Sequence, residues 1–252
     1  MEIKAGKLAV KIFKTRAEMG AAAGGDAAAK IKELIAKKGE VNMIFAAAPS
    51  QNETLATLVA AEGIDWSKVN AFHMDEYIGL SADAPQGFGN FLKDRIFSKL
   101  PFKSVNYIYA ENESAEETCA RYTKLIKENP IDIVCLGIGE NGHIAFNDPW
   151  VADFNDSEVI KKVELDEVCR QQQVNDGCFA KLDDVPKFAL TLTVPTLYNA
   201  DYLFCTVPAP TKADAVYKTV NNEINEDLPA TIMRNHDNAI MYCDSDSGAN
   251  LL

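Results

Sequence analysis

Two short segments of the sequence carry side chains suited to proton transfer. Asp75 and Glu76 directly follow the apolar run at 69–74, and His143 lies in the glycine-rich segment GIGENGHIAFNDP at 137–149. A carboxylate opposite an imidazole can move a proton at a carbon or a hydroxyl. The sequence therefore predicts an acid–base site, provided that the fold brings the two segments together.

Each of these side chains also has a structural interpretation. Asp75 can cap a turn, His143 can be an ordinary loop imidazole, and Asp148 before Pro149 can begin a turn. Caps and turns are commoner than catalytic groups, so no single residue decides between the two interpretations. Their convergence at strand ends favours the catalytic one.

The elements that must position these groups can be read from the apolar pattern, which alternates between short β-rich runs and longer helical stretches. Several runs are almost continuously apolar, as is typical of parallel strands covered on both faces. The alternation predicts a single doubly wound, Rossmann-like α/β domain over residues 1–252, with a mostly parallel central sheet and helices on both faces. The predicted strands are 8–14, 41–47, 69–74, 105–109, 131–137, 158–165, 187–193, 201–207 and 238–244. The predicted helices are 16–38, 52–62, 86–99, 113–128, 166–175, 210–221 and 229–235.

Ligands of open α/β sheets bind beyond the carboxyl ends of the strands, where strand order reverses. The loops after the predicted strands are therefore the places to search. Three of them stand out: PSQNE after 41–47, DEYIG after 69–74, and the glycine-rich segment after 131–137.

Composition narrows the partners. The chain has 25 Lys and Arg against 37 Asp and Glu, a formal charge of -12, which argues against nucleic acid or an anionic membrane surface as partner. No apolar run is long enough to span a bilayer, no secretory signal is evident, and six cysteines lie scattered without a C-x-x-C pair. We therefore expect a cytoplasmic protein with reduced cysteines and no metal site. An anionic ligand would need a few placed cations and backbone N–H groups.

The glycines from Gly137 to Gly142 fit G-x-G-x-x-G, a pattern found in dinucleotide-binding loops. Pro149 interrupts the segment that should open a helix, and no acidic strand end follows at the expected spacing. We therefore expect these glycines to shape a catalytic loop. No cofactor is predicted.

FHMDEYIGL at 72–80 and LGIGENGHIAFNDP at 136–149 resemble the two signature segments of the glucosamine-6-phosphate deaminase/isomerase family. VPKFALTLTVPTL at 185–197, Lys212 and LPATIMRNH at 228–236 follow in the family's order. The resemblance covers nearly the whole chain from about residue 40. It implies a metal-independent aldose–ketose isomerase or deaminase acting on an aminosugar 6-phosphate, of glucosamine or galactosamine type.

The resemblance also implies roles for single residues. Asp75 would be the base that moves a proton between C1 and C2 of the open-chain sugar, and His143 would assist opening of the pyranose ring. Asn141 and Asp148 would hold the imidazole; family members commonly have Glu at the position of Asp148. The substrate-binding residues implied or proposed are Ser50, Gln51, Asn52, Glu76, Gly139, Arg170 and Lys212.

The phosphate end departs from the family pattern. The chain reads AAAPSQNET at 46–54, where relatives usually carry a segment like TGGTP, and it places Glu53 beside the expected anion. An arginine that the family has within about 170–180 is unmatched, so Arg170 is the candidate substitute. Lys212 matches the family pattern better than Arg170 does. Its structural alternative is an ordinary solvent-exposed lysine in the first turn of a helix. Trp150 either lines the sugar pocket or simply packs.

Two other functions remain open at this point. One is a sugar-lactone hydrolase of the related 6-phosphogluconolactonase type, which typically has Arg after the acid pair, where this chain has Tyr77. The other is a non-catalytic sugar-phosphate sensor. The sequence leaves the sugar epimer, the release of the amino group and a homo-oligomeric assembly undecided.

Overall fold

Seven parallel strands form the centre of the protein in the computed structural model, which describes residues 1–252. The strands are β1 (Glu2–Ala5), β2 (Leu8–Ile12), β3 (Val41–Phe45), β4 (Val69–His73), β5 (Asp75–Tyr77), β6 (Ser104–Asn106), β7 (Ile133–Leu136), β8 (Ile160–Glu164), β9 (Phe188–Leu192), β10 (Tyr202–Val207) and β11 (Ala239–Cys243). The helices are α1 (Arg16–Lys38), α2 (Asn52–Ala60), α3 (Phe88–Leu92), α4 (Ala115–Glu128), α5 (Glu167–Asn175), α6 (Val194–Tyr198) and α7 (Ala213–Asn221). A π turn, Lys93–Phe97, continues α3, and short 3-10 helices include Pro49–Gln51, Pro210–Lys212 and Pro229–Asn235.

The central sheet has the order β1-β2-β11-β10-β7-β3-β4-β6, and only β1 runs antiparallel to its neighbour. Its two faces carry separate apolar clusters of 31 and 29 buried residues. One cluster includes residues of α1 and α2, and the other includes residues of α4, α6 and α7. Burial on both faces explains the continuous apolar strands and confirms the predicted doubly wound α/β architecture.

A second, antiparallel sheet of order β5-β9-β8 lies beside the first. The chain passes from one sheet to the other at Met74, whose carbonyl accepts a hydrogen bond from the N–H of Leu192 at 2.7 Å. Asp75 then pairs with Thr191 as the first residue of β5. The two sheets therefore meet at the predicted catalytic acid.

The strand predictions hold for all nine predicted runs, although two of them, 158–165 and 187–193, form the second sheet rather than the central one. Strands β1 and β5 and helix α6 were not predicted. β5 has three residues, too few to display an alternating pattern. No helix combines the length and apolar character that crossing a bilayer requires.

Helix α1 begins with a capping box formed by Thr15 and Glu18 and ends at Gly39, which has a φ of 84°. It runs unbroken through Gly24 and Gly25, which have different environments. A Cβ at Gly24 would lie 2.5 Å from the Cβ of Thr57 and 2.9 Å from the carbonyl oxygen of Thr54, whereas a Cβ at Gly25 would meet nothing within 4 Å. Gly24 therefore permits the close approach of α1 and α2.

Gly24→Ala and Gly25→Ala form a matched pair that tests this packing. We expect Gly24→Ala to lower the free energy of unfolding by about 1–3 kcal/mol, because the added methyl group overpacks backbone as well as side chain. Gly25→Ala should raise it by roughly 0.5–1 kcal/mol, because alanine has less conformational freedom to lose. Urea unfolding at equilibrium measures both. Equal effects of the two substitutions would contradict the proposed helix contact.

Candidate active site

A cavity opens at the carboxyl ends of four neighbouring strands, β10, β7, β3 and β4. Its walls come from the loops that follow those strands, together with α5 and the start of α1. The residues predicted from the sequence that line it are Asp75, His143, Ser50, Gln51, Gly139 and Lys212. Strand order reverses between β3 and β7, so the cavity lies at the topological switch point of the sheet.

Asp75 is 7% exposed and borders the cavity, and no protein group donates a hydrogen bond to its carboxylate. Burial, and next to it the negative charge of Glu76, raise the pKa of Asp75 well above its ordinary value. A carboxylate that is poorly solvated and unpaired is a stronger base than one in water. Asp75 can therefore accept a proton from a bound molecule.

The backbone of Asp75 is held by a buried histidine. Nε2 of His73 accepts a hydrogen bond from the N–H of Ile108 at 2.9 Å, so Nδ1 carries the ring proton and donates it to the carbonyl of Asp75 at 3.0 Å. The Tyr122 hydroxyl accepts from the N–H of His73 at 3.0 Å and lies 2.9 Å from its carbonyl. Burial lowers the pKa of His73 to about 4. His73 therefore fixes the strand end that carries Asp75.

His143 is oriented by the two residues predicted to hold it. Oδ1 of Asn141 lies 2.7 Å from Nδ1 of His143, and Oδ1 of Asp148 lies 3.1 Å from the same nitrogen. Nδ2 of Asn141 donates to Oδ1 of Asp148 at 3.0 Å, which fixes the orientation of the amide. Both neighbours of Nδ1 are acceptors, so this nitrogen carries the proton and Nε2 is free to accept one.

Burial alone would raise the pKa of Asp148, but the hydrogen bond and charge of His143 and the amide of Asn141 outweigh it, and the pKa of Asp148 is lowered. Asp148 is therefore an ionised group that accepts hydrogen bonds within this cluster. Asn147 donates to the carbonyls of Ile144 and Leu192, each at 2.9 Å, and so ties the His143 loop to β9.

The loop that carries His143 is tightly packed at Gly139 and has an unusual backbone conformation at Ala145. A Cβ at Gly139 would lie 2.5 Å from Nε2 of His143 and would overlap the rest of the ring. Ala145, which also lines the cavity, has a φ of 52°, a conformation that alanine rarely adopts. The glycine pattern thus makes room for a side chain, as expected for a catalytic loop, and no helix follows it.

Lys212 ends the 3-10 turn that follows β10. It is 5% exposed, and its Nζ has no hydrogen-bond partner. Burial lowers the pKa of Lys212, while the charges of Asp176 and Glu140 partly restore it. Ala209, at the start of the turn, has a φ of 85° and is held by its N–H, which donates to the carboxylate of Asp244 at 3.0 Å. The protein thus places an unpaired cation at the cavity by means of strained backbone.

Three residues predicted to bind substrate lie outside the cavity lining and have protein partners instead. Oδ1 of Asn52 accepts a hydrogen bond from Nε of Arg95 at 2.8 Å. The Glu76 carboxylate accepts from the N–H groups of Tyr77, Phe88 and Gly89, so it caps the start of α3.

The third is Arg170, which is buried and whose Nε and Nη2 donate to the backbone carbonyls of Leu182 and Val185. Trp150 is 62% exposed and does not line the cavity. Arg170 therefore does not border the cavity in this structure.

Several cavity residues escaped the sequence analysis: Arg16, Phe88, Gln172, Gln173, Asp176 and Thr211. Arg16 had a usable signal. It begins a helix directly after β2, a parallel strand, so it had to lie at the carboxyl edge of the sheet. Its Nε donates to Oε1 of Glu53 at 2.8 Å, which explains the acid that looked out of place in the phosphate loop.

One group of side chains has the composition of a metal site. Ligand atoms of His143, Asp148 and Cys169 all lie within 4.8 Å of one another, and all three residues are buried. Nitrogen, carboxylate and thiolate donors suit zinc. However, Nδ1 of His143 and Oδ1 of Asp148 already bond through Asn141, so an ion there would disrupt the hydrogen bonds that orient the imidazole.

The histidine behind Asp75 predicts a pH dependence of stability. The pKa of His73 is about 4 in the folded protein and ordinarily 6.5, so between these values the unfolded chain binds more protons. Stability due to this residue is complete above pH 6.5 and falls as the pH is lowered, by up to roughly 3 kcal/mol near pH 4.

We expect the unfolding free energy of the wild type, relative to His73→Gln, to decrease between pH 7.5 and 4.5. Glutamine can make both hydrogen bonds without titrating, and the buried carboxylates contribute equally to both proteins. Urea unfolding at three pH values gives the difference. A difference that does not change with pH would refute the account of His73.

Comparisons with known proteins agree with this geometry. The family model of glucosamine-6-phosphate isomerases/6-phosphogluconolactonase matches residues 14–242. Glucosamine-6-phosphate deaminase of Listeria innocua is 33% identical over 227 residues, covering 90% of this chain and 95% of the relative. The corresponding protein of Streptococcus pneumoniae is 30% identical over 224 residues, covering 89% and 94%.

Solved structures agree at the level of the fold. A monomeric glucosamine-6-phosphate deaminase superimposes with a TM-score of 0.85 at 28% identity, covering 95% of this chain and 98% of that one. A 6-phosphogluconolactonase from Shewanella baltica has a TM-score of 0.75 at 14% identity, covering 93% and 96%, and shares the fold alone. With its sheet order, its cavity at the switch point and a family match over residues 14–242, the chain belongs to the glucosamine-6-phosphate isomerase/6-phosphogluconolactonase family.

Proposed function

We propose that the protein is an aminosugar-6-phosphate isomerase/deaminase that converts the aldose form of the substrate to a ketose phosphate and releases ammonia. The observation that carries the proposal is the placement of an unpaired buried carboxylate, Asp75, and a singly protonated imidazole, His143, on one cavity. This pair can open a sugar ring and move a proton between neighbouring carbons.

Ring opening falls to His143. Its Nε2 accepts the proton of the anomeric hydroxyl and passes the same proton to the ring oxygen, as the bond between C1 and the ring oxygen breaks and an aldehyde forms at C1. Asp148 stabilises the imidazolium that forms, and Asn141 holds the ring in position.

The proton shift falls to Asp75. The carboxylate removes the proton on C2, and the electron pair forms the C1–C2 double bond of an enolamine. The electrons of the C1–oxygen double bond move to the oxygen, which takes up a proton released by the amino group on C2. Returning the proton to C1 moves the double bond to the nitrogen and gives an imine at C2. A positively charged amino group on C2 would lower the pKa of Asp75, so binding of the substrate itself helps to ionise the base. Addition of water to the imine then releases ammonia and leaves the ketose.

The phosphate of the substrate is assigned to the end of the cavity that holds Lys212 and Ser50. The buried ammonium is unpaired in the protein and gains a partner when an anion binds. A phosphorylated sugar cannot cross a membrane unaided because of its charge, so it stays inside the cell. This favours a cytoplasmic location for the enzyme.

A 6-phosphogluconolactonase activity is the second candidate, because the family model includes both activities. The 6-phosphogluconolactonase structure described above shares only the fold, whereas the deaminases of two bacteria are at least 30% identical. Ester hydrolysis does not need a base placed to attack a carbon-bound proton. Asp75 therefore favours the isomerase/deaminase.

Asp75→Asn tests the proposed base. We expect turnover of glucosamine 6-phosphate and galactosamine 6-phosphate to fall by a factor of about 10²–10⁴, because the amide cannot accept the proton. The fold should survive, since the carboxylate bonds to no protein group. Ammonia and ketose phosphate release are followed for the wild type, Asp75→Asn and the exposed control Asp83→Asn, which should be fully active.

Three results would contradict the proposal in different ways. An active Asp75→Asn protein would show that another residue is the base. Hydrolysis of 6-phosphogluconolactone with inert aminosugars would establish the lactonase. Binding of the sugar phosphates without turnover by the wild type would establish a sensor.

A further inference from the structure

The phosphate end of the cavity has a shortage of positive charge. A phosphate monoester carries about -1.5 to -2 charges at neutral pH and three acceptor oxygens. Lys212 supplies one charge, and Asp176 and Glu140 lie close enough to affect its pKa. Arg170 of α5 lies outside the cavity lining and donates to backbone carbonyls. Another cation is needed if this end is to hold a dianion.

Arg16, at the start of α1, borders the same cavity. Helix α1 covers one face of the central sheet, and α7, which follows Lys212, covers the other. Its Nε donates to Glu53 at 2.8 Å and its Nη2 donates to the carbonyl of Pro49. These two bonds hold the guanidinium against the Pro49–Gln51 turn, and its Nη1 donates to no protein group. The side chain is 37% exposed, so a ligand in the cavity can reach it.

The position of Arg16 follows from the packing of α1 on α2. Arg16, Gly20 and Gly24 lie four residues apart and therefore share one face of α1. A Cβ at Gly20 would overlap Glu53, and a Cβ at Gly24 would meet Thr57. The two glycines bring the helices together, and one turn earlier the same face delivers Arg16 to Pro49 and Glu53. The cation is thus placed by the fold and is not a freely moving surface side chain.

The Pro49–Gln51 turn lies between the two cations, Arg16 and Lys212. A Cβ at Gly137 would lie 3.4 Å from Oγ of Ser50 and 3.2 Å from both Nε2 of Gln51 and the carbonyl of Thr206 at the end of β10. The turn carrying Ser50 is therefore packed between Arg16 on one side and the strand that leads to Lys212 on the other.

We propose that Arg16, at the start of α1, is the second phosphate-binding cation of this enzyme. Nη1 of Arg16 and Nζ of Lys212 donate to different oxygens of one phosphate, with the Ser50 hydroxyl between them. Glu53 keeps the guanidinium in place and neutralises part of its charge. Arg16 is a binding residue that selects phosphorylated substrates, and this role rests on the function proposed above.

The test compares Arg16→Ala with Lys14→Ala, which removes the same charge from an exposed position two residues earlier. With glucosamine 6-phosphate, Arg16→Ala should raise KM by about ten- to a hundredfold, as expected for loss of a charge-assisted hydrogen bond, with kcat nearly unchanged. Lys14→Ala should match the wild type. With unphosphorylated glucosamine, Arg16→Ala and the wild type should have the same kcat/KM.

Two further variants separate binding from stability. Arg16→Lys should recover part of the affinity lost in Arg16→Ala, because lysine restores the positive charge but not the planar set of N–H donors of the guanidinium. Glu53→Gln should lower KM, because the glutamine carbonyl can still accept from Nε of Arg16 but no longer offsets its charge. A KM for Arg16→Ala equal to that of Lys14→Ala would overturn the proposal, as would an equal loss with glucosamine, which would indicate general damage to the site.

Binding of inorganic phosphate makes the result independent of turnover. Titration calorimetry should show weaker phosphate binding for Arg16→Ala than for the wild type, even if the wild type proves inactive on aminosugar phosphates. In that case the proposed reaction fails and the phosphate assignment stands. Equal phosphate affinity of the two proteins would overturn the role of Arg16 whatever reaction the enzyme catalyses.

Discussion

The site depends on the point where the chain leaves the parallel sheet after β4 and enters the second sheet as β5. The carbonyl of Met74 pairs with Leu192 of β9, and the carbonyl of Asp75 is held by His73. These bonds place Asp75 between two sheets with no polar partner for its carboxylate. The same β9 holds the His143 loop through Asn147, so one junction positions both groups that transfer protons.

Polar groups around this junction divide into two kinds. His73 and Tyr122 satisfy each other and the backbone, and they are rigid because every hydrogen bond in the group is made. Asp75 and Lys212 are buried without partners, and each is destabilised in its charged form. A ligand with a cationic nitrogen near Asp75 and an anion near Lys212 would relieve both. The aminosugar phosphate proposed as substrate has both groups.

The excess of acidic residues that gives the chain a charge of -12 is also found at the cavity. Cations at the cavity are few, and each has acidic neighbours: Glu53 beside Arg16, and Asp176 and Glu140 near Lys212. An acidic background weakens the attraction for any anion, so only one that accepts hydrogen bonds from both cations gains enough to bind. Selectivity for phosphate thus follows from geometry more than from net charge.

The sequence was sufficient to predict the α/β architecture and the two signature loops, because near-continuous apolar strands and glycine-rich loops are local features. It failed where a contact between distant segments decides the role. Glu76 was predicted to bind substrate beside the base Asp75, but within β5 neighbouring residues point to opposite faces, so Glu76 caps α3. Arg170 looked available because its carbonyl partners lie 12 and 15 residues away. Arg16 was overlooked because its neighbours in the fold belong to another loop.

The most direct measurement of the central claim is cleavage of the C2–hydrogen bond. Glucosamine 6-phosphate carrying deuterium at C2 is incubated with the wild type and with Asp75→Asn, and the label is followed by NMR. The account predicts that the wild type moves deuterium from C2 to C1 of the ketose or to water. Asp75→Asn should break this bond at less than about one hundredth of the wild-type rate. Cleavage at a comparable rate without the carboxylate would contradict the account.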